Sequence, residues 1–272
     1  MAERVMSREE SIEYLLRRSQ RRYEEFPIRQ EFVRTRFRTE YGEPTFGPGP
    51  LSKLLRAPLA LELLLLVYAV TTGGDFGVTE RSQLWARAAG IYMRPDKGAS
   101  VAVSRQWQHL EKLGLIDRVQ HRRYKRIVKR RECGGRIGGL ARPYTVPSGA
   151  ANDVYFRVPF AYWREGLHEK LGMPGKAVLL AAMSRRKETF TLPQDTRGAM
   201  TLGLNRHTMA RGIGELLDLQ LLVKSGTDEV ENALTPRGFQ WVHTYQLAPP
   251  FNGNLSNSER ERQTAEQLRQ PG

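Results

Sequence analysis

Two short runs of this chain repeat one another. Residues 105–118 read RQWQHLEKLGLIDR and residues 211–224 read RGIGELLDLQLLVK, and aligning Arg105 with Arg211 brings Trp107 onto Ile213, Leu110 onto Leu216, Leu113 onto Leu219, Leu115 onto Leu221 and Ile116 onto Leu222. In both runs apolar residues at helical spacing give way to a strand-like pattern at the same point. Upstream of each lies a shorter helical segment, Thr79 to Ala89 and Gln194 to Leu202. Before that comes an apolar helix opened by proline, Pro58 to Val70 and Pro174 to Arg185, and proline suits a first helical position. Each copy therefore predicts a helix, a short helix, a turn, a longer helix and a hairpin whose second strand returns to the core.

This order, with phrasing such as RHTMARGIGELLDLQLL at 206–222, resembles the winged helix, the helix-turn-helix variant with a β-hairpin wing. It is similar to bacterial winged-helix regulators, and the pairing of two units resembles plasmid replication initiators. Over residues 51–245 the resemblance implies a mainly α chain with small β-hairpin wings (α+β), two winged-helix domains in tandem plus an N-terminal helix. The expected division is 1–50 as a basic helical region and Pro/Gly linker, 51–150 as the first winged helix, 151–250 as the second, and 251–272 as a disordered tail. In the N-terminal region Ser7 and Glu10 have capping-box spacing, and Ile12, Leu15, Leu16, Tyr23 and Phe26 form one apolar stripe ahead of Pro27. That stripe offers either a homodimer contact or packing onto the first domain. The segment 42–50, GEPTFGPGP, reads as a linker.

Charge narrows the partners. The 272 residues carry a net charge of +14, and the excess is uneven: residues 1–150 hold 28 Lys and Arg against 16 Asp and Glu, residues 151–272 only 15 against 13. Such a balance attracts polyanions, above all nucleic acid. A membrane is not expected, because the most apolar run, Leu59 to Val70, is interrupted by Glu62 and falls short of the ~20 residues of a span. The start of the chain shows no secretory pattern, so a cytoplasmic, nucleoid-associated location is expected. Cys133 stands alone, which predicts neither a disulfide nor a structural zinc site. The glycine-rich runs 133–140 and 172–177 lack the Lys-Ser/Thr ending of a phosphate loop, and tight turns explain them better. His109, His121, His168, His207 and His243 are scattered without a metal-ligand pattern. No cofactor, metal or enzymatic role is expected.

In winged helices the longer helix enters the major groove, so its outward face matters most. In the first copy Val103, Trp107 and Leu110 face inward, which leaves Ser100, Ser104, Arg105, Gln106 and His109 outward, with Ser100 as the expected cap. Arg105 and Gln106 suit bidentate contacts to guanine and adenine, respectively. A phosphate contact or pairing with Glu111 is the alternative for Arg105. In the second copy Asn205 caps the helix, Arg206, His207, Thr208 and Arg211 face outward, and Met209, Ile213 and Leu216 face inward. Arg206 and Thr208 fit phosphate anchoring equally well.

The strongest signal is the first wing. Residues 118–136 hold Arg118, Arg122, Arg123, Lys125, Arg126, Lys129, Arg130, Arg131 and Arg136 against Glu132 alone. Strand alternation places Arg122, Arg126 and Arg130 along one edge toward phosphates or the minor groove, with the glycines after Cys133 as the wing tip. The expected function is sequence-specific binding of double-stranded DNA as a transcriptional regulator. A plasmid or phage replication initiator, or an adaptor binding proteins through the second winged helix, are the alternatives.

Overall fold

The computed structural model describes residues 5–38, 40–91, 98–193, 196–231, 238–256 and 259. The chain forms two compact units, Met1–Lys170 and Leu171–Gly272.

The first unit begins with α1 (Arg8–Arg18), whose capping box joins Ser7 and Glu10 as the spacing predicts. Ile12, Leu15 and Leu16 are buried against α3 (Pro58–Val70) and α4 (Ser82–Ala88). The chain then forms three strands, β1 (Glu25–Arg29), β2 (Arg34–Arg38) and β3 (Pro44–Pro48), where the sequence suggests a basic helical region and a linker. In β3 the prolines stand at the two ends of a strand that pairs along β2, from Arg34 with Pro48 to Arg38 with Pro44. Pro is tolerated at such positions on a two-stranded edge, so this Pro-rich run forms a strand and not the linker its composition suggests. Phe26 lies buried on β1, and Tyr23 is exposed beyond the end of α1. The proposed dimer stripe is thus divided: its helical part packs into its own unit, and that face is not available to a second copy.

After α2 (Leu51–Leu54), α3 is apolar all round and buried from Ala60 to Val70. Its one carboxylate, Glu62, accepts a 2.7 Å hydrogen bond from the Tyr162 hydroxyl. The free carbonyls at its C-terminal end meet the Arg21 guanidinium, which donates to Tyr68, Ala69 and Thr71 at 2.8–3.0 Å. Next come β4 (Gly77–Thr79), α4, α5 (Gly98–Lys112), β5 (Ile116–His121) and β6 (Tyr124–Lys129). The three strands form one antiparallel sheet in the order β4-β6-β5. Trp85 of α4 meets Trp107 of α5 edge-on, with centroids 5.4 Å apart, and this pair anchors the two helices to each other. A small hairpin, β7 (Arg136–Ile137) and β8 (Leu140–Ala141), follows. Then β9 (Tyr155–Pro159) returns to pair with β1, ahead of α6 (Ala161–Arg164) and α7 (Leu167–Lys170). This β1–β9 pairing carries the first unit past Ala150, where the sequence reading drew its boundary.

The second unit repeats the element order. α8 (Met173–Met183) precedes β10 (Phe190–Thr191), α9 (Thr196–Leu202), α10 (Arg206–Asp218), β11 (Leu222–Glu231) and β12 (Phe239–Leu247), with sheet order β10-β12-β11. The matched residues of the repeat take equivalent places. Leu115 N donates to Leu110 O at 3.1 Å and Leu221 N to Leu216 O at 2.9 Å, closing both helices with the same six-residue cap. The left-handed residue that cap requires is Gly114 (φ 71°) in one copy and Gln220 (φ 56°) in the other. α8 and α10 pack so closely that a Cβ on Gly212 would lie 2.4 Å from Pro174 O. At the end of the chain Phe251 is fully buried and Ser256 N donates to Arg186 O at 2.9 Å, so the expected disordered tail begins with residues that pack. Most of the rest of that tail lies outside the described residues.

The expectation of a mainly α chain is corrected. Of the described residues 39% are helical and 25% are in strands, an α+β mix. Two features account for the difference: the strands of residues 25–48 and 155–159, which repeat nothing, and the length of β11 and β12, a hairpin that runs well beyond the core.

Candidate nucleic-acid interface

α5 and the β5–β6 hairpin flank a groove of about 230 Å³ lined by Glu80, Ser82, Ser100, Ser104, Arg118, Arg123 and Lys125 together with Trp85 and Trp107, and its one carboxylate, Glu80, is paired with Arg18. Val103, Trp107 and Leu110 fix the orientation of α5 by facing the core, as their spacing predicts. Arg105 is exposed and makes no ion pair among the described residues, and Glu111, its suspected partner, is held instead by Arg118 at 2.7 Å. Ser100 is exposed but is not a cap, because α5 already begins at Gly98. Ser104 and Gln106 are half-buried. His109 turns its Nε2 into the protein, where it is buried without a hydrogen-bond partner, so it does not belong to the outward face.

The basic run divides sharply. β5 and β6 are joined by a two-residue turn, Arg122–Arg123, with Arg122 in the left-handed region at φ 52°. This turn is the tip of the hairpin that the sequence resemblance reads as the wing. The glycines after Cys133 instead shape the separate β7–β8 hairpin, whose turn is Gly138–Gly139. Arg122, Arg123 and Lys125 are exposed and have no acidic partner among the described residues. The other cations of the run whose side chains are described have one or are buried. Arg126 binds Asp75 through two hydrogen bonds of 2.8 and 2.5 Å and holds that carboxyl at a pKa of about 2. Arg130 pairs with Asp117 at 2.6 Å, and Arg131 with Glu31 at 3.2 Å and Asp153 at 3.3 Å. The single edge of Arg122, Arg126 and Arg130 is therefore not a free phosphate-facing row, since its two strand members are neutralised by carboxylates distant in sequence. The Arg136 side chain lies outside the described residues.

Lys129 departs furthest from expectation. It is buried, with its ammonium 3.7 Å from the Tyr144 ring centroid, 5.2 Å from Tyr68 and 5.6 Å from Phe76. Burial pulls its pKa down to about 7, against the opposing attraction of Glu132. Below that pH the lysine is charged in both folded and unfolded chains. Between there and its unfolded value near ~10.4 the folded chain has lost a proton the unfolded chain still holds. Wild-type stability is thus expected to rise with pH across this window, by at most ~1.4 kcal/mol per pH unit from this group. Lys129→Met should remove that rise. Urea midpoints of both proteins at the two ends of the window check it, and the same pH dependence in both would refute the assignment.

In the second unit Asn205 caps α10, its side chain accepting from Thr208 N at 2.8 Å. Arg206 and His207 are exposed on the first turn and Thr208 is half-buried. Arg211 is exposed but pairs with Glu215 at 3.1 Å. Glu215 also accepts from Gly172 N at 2.8 Å and Gly175 N at 3.2 Å, so its carboxylate caps α8. That contact explains the GMPGKA glycines, because a Cβ on Gly175 would lie 2.4 Å from the same carboxylate.

Sequence reasoning missed Ser82, which lines the groove from the first turn of α4. Its only signal is a small polar residue at a helix start, which is too common to single out. No helix among the described residues is long and apolar enough to cross a membrane. No protein-family model matches this chain, and neither a curated protein nor a solved structure matches it.

Proposed function

We propose that the chain binds double-stranded DNA as a nucleoid-associated cytoplasmic regulator, with each unit acting as a winged helix and the first supplying most of the affinity. The helix, strand, helix, helix, strand, strand order and the β4-β6-β5 and β10-β12-β11 sheets support that reading of both units. One observation carries the binding: Arg105 on α5 and Arg122, Arg123 and Lys125 on the β5–β6 hairpin are exposed and have no acidic partner among the described residues, and Arg123 and Lys125 line the groove that also takes Ser100 and Ser104 of α5. A helix presented in this way enters the major groove, and the wing tip then meets the backbone or the adjacent minor groove. In the second unit α10 offers Arg206 and His207, both exposed, to DNA.

Selection of bound duplexes from a random pool, followed by anisotropy titrations at several salt concentrations, tests the proposal. Failure to enrich any sequence would remove the regulator reading, and an affinity independent of salt would remove DNA binding by these cations. Arg105→Ala is expected to relax preference at one base pair, losing ~1–3 kcal/mol of discrimination there. An equal loss on every duplex would make Arg105 a phosphate contact.

A further inference from the structure

The β11–β12 hairpin of the second unit carries a different chemistry. The strands pair Thr227 with His243, Glu229 with Trp241 and Glu231 with Phe239, so these side chains share one face. On that face the aromatic row leads outward from Tyr245, which is buried, to Trp241, which is 58% exposed. Phe239 and Trp241 meet edge to face, with centroids 5.9 Å apart. Directly across from these two rings stand Glu231 and Glu229, both exposed, and Asp228 adds a third carboxylate on the other face. An exposed indole beside two carboxylates attracts cations twice, through the ring's negative face and through charge. The same carboxylates repel phosphate, although an aromatic row on a sheet would otherwise suit nucleic-acid bases. They also disfavour a second copy of the hairpin, which would bring like charges together. β11 lies at the edge of its sheet, and an extended segment can add to such an edge.

We propose that the distal half of this hairpin docks an extended arginine- or lysine-bearing segment of a partner protein, whose cationic side chains seat against Trp241 between Glu229 and Glu231. Alternate residues of such a segment present their cations to one face, at the spacing of the Glu229 and Glu231 pair. The role is independent of DNA binding by the first unit.

The probe is an acetylated and amidated Gly-Arg repeat octapeptide, titrated into the full chain at low salt and followed by calorimetry. Saturable binding is expected, weakened about tenfold by Trp241→Ala and by the double change Glu229→Gln with Glu231→Gln. Because these side chains are exposed, thermal unfolding and duplex affinity should stay unchanged in both variants. Absence of peptide binding, or equal binding by wild type and both variants, would overturn the proposal. So would binding of oligo-dT that Trp241→Ala abolishes, since the aromatic row would then be stacking bases.

Discussion

Replacing Arg29 by alanine is expected to destabilise the first unit by about 3–5 kcal/mol, a large share of what holds a domain of this size folded. Arg29 is fully buried on β1, and its guanidinium reaches three separate segments. It pairs with Glu132 at 2.8 Å just past the end of β6, binds Asp153 at 2.5 Å ahead of β9, and donates to the Thr145 carbonyl and hydroxyl at 2.8 and 2.9 Å. Truncation would leave Glu132, itself fully buried, without its guanidinium partner and with Lys129 as the remaining cationic group acting on it among the described residues. The loss of an uncompensated partner is what makes this change severe, more than the strength of the pair itself. Arg29→Lys keeps the charge but not the fork that reaches Glu132 and Asp153 together, so it should fall between the two. Denaturant unfolding of the full chain, followed by near-ultraviolet signals of Trp85 and Trp107, measures the difference. A loss under ~1 kcal/mol for Arg29→Ala would show that the network is not what joins β1 to the segment after β6.

The contrast between Arg29 and the repeat shows which physics is legible in a single sequence. Leu110 and Leu216, Trp107 and Ile213, and Leu115 and Leu221 are read correctly because helical periodicity and a sharp change of period are local signals. The capping box at Ser7 and the cap at Asn205 are local too. Arg29 lies in a basic stretch of the sequence, and nothing nearby announces that Glu132 and Asp153 will meet it. The same limit divides the basic run. Arg126 and Arg130 are indistinguishable in sequence from Arg122 and Arg123, yet Asp75 and Asp117 neutralise the first two and leave the second two free. Lys129 follows the alternation of β6 onto the inward side, and only the convergence of Tyr68, Phe76 and Tyr144 makes a box for it. The β1–β9 pairing, which is the most non-local in the first unit, set the extent of that unit and left no trace in composition.

That division of the basic run leads to the second large effect. If the wing tip holds DNA, the triple change Arg122→Ala, Arg123→Ala and Lys125→Ala removes three phosphate-neutralising charges. The slope of log affinity against log salt should then fall by roughly 2.7, at ~0.9 per charge. Across a fourfold rise in salt the wild type would therefore lose about 40-fold more affinity than the variant. Arg126→Ala with Arg130→Ala removes two formal charges from the same hairpin, but these two already face Asp75 and Asp117. They should change the slope little, while exposing two carboxylates and lowering stability by about 1 kcal/mol or less per pair. Composition alone would rank the two variants by the number of cations removed, whereas the ion pairs separate them by which cations are free. Equal slopes for both variants would defeat the assignment of the wing tip, and a steeper effect from Arg126 and Arg130 would mean that DNA displaces Asp75 and Asp117 from their partners.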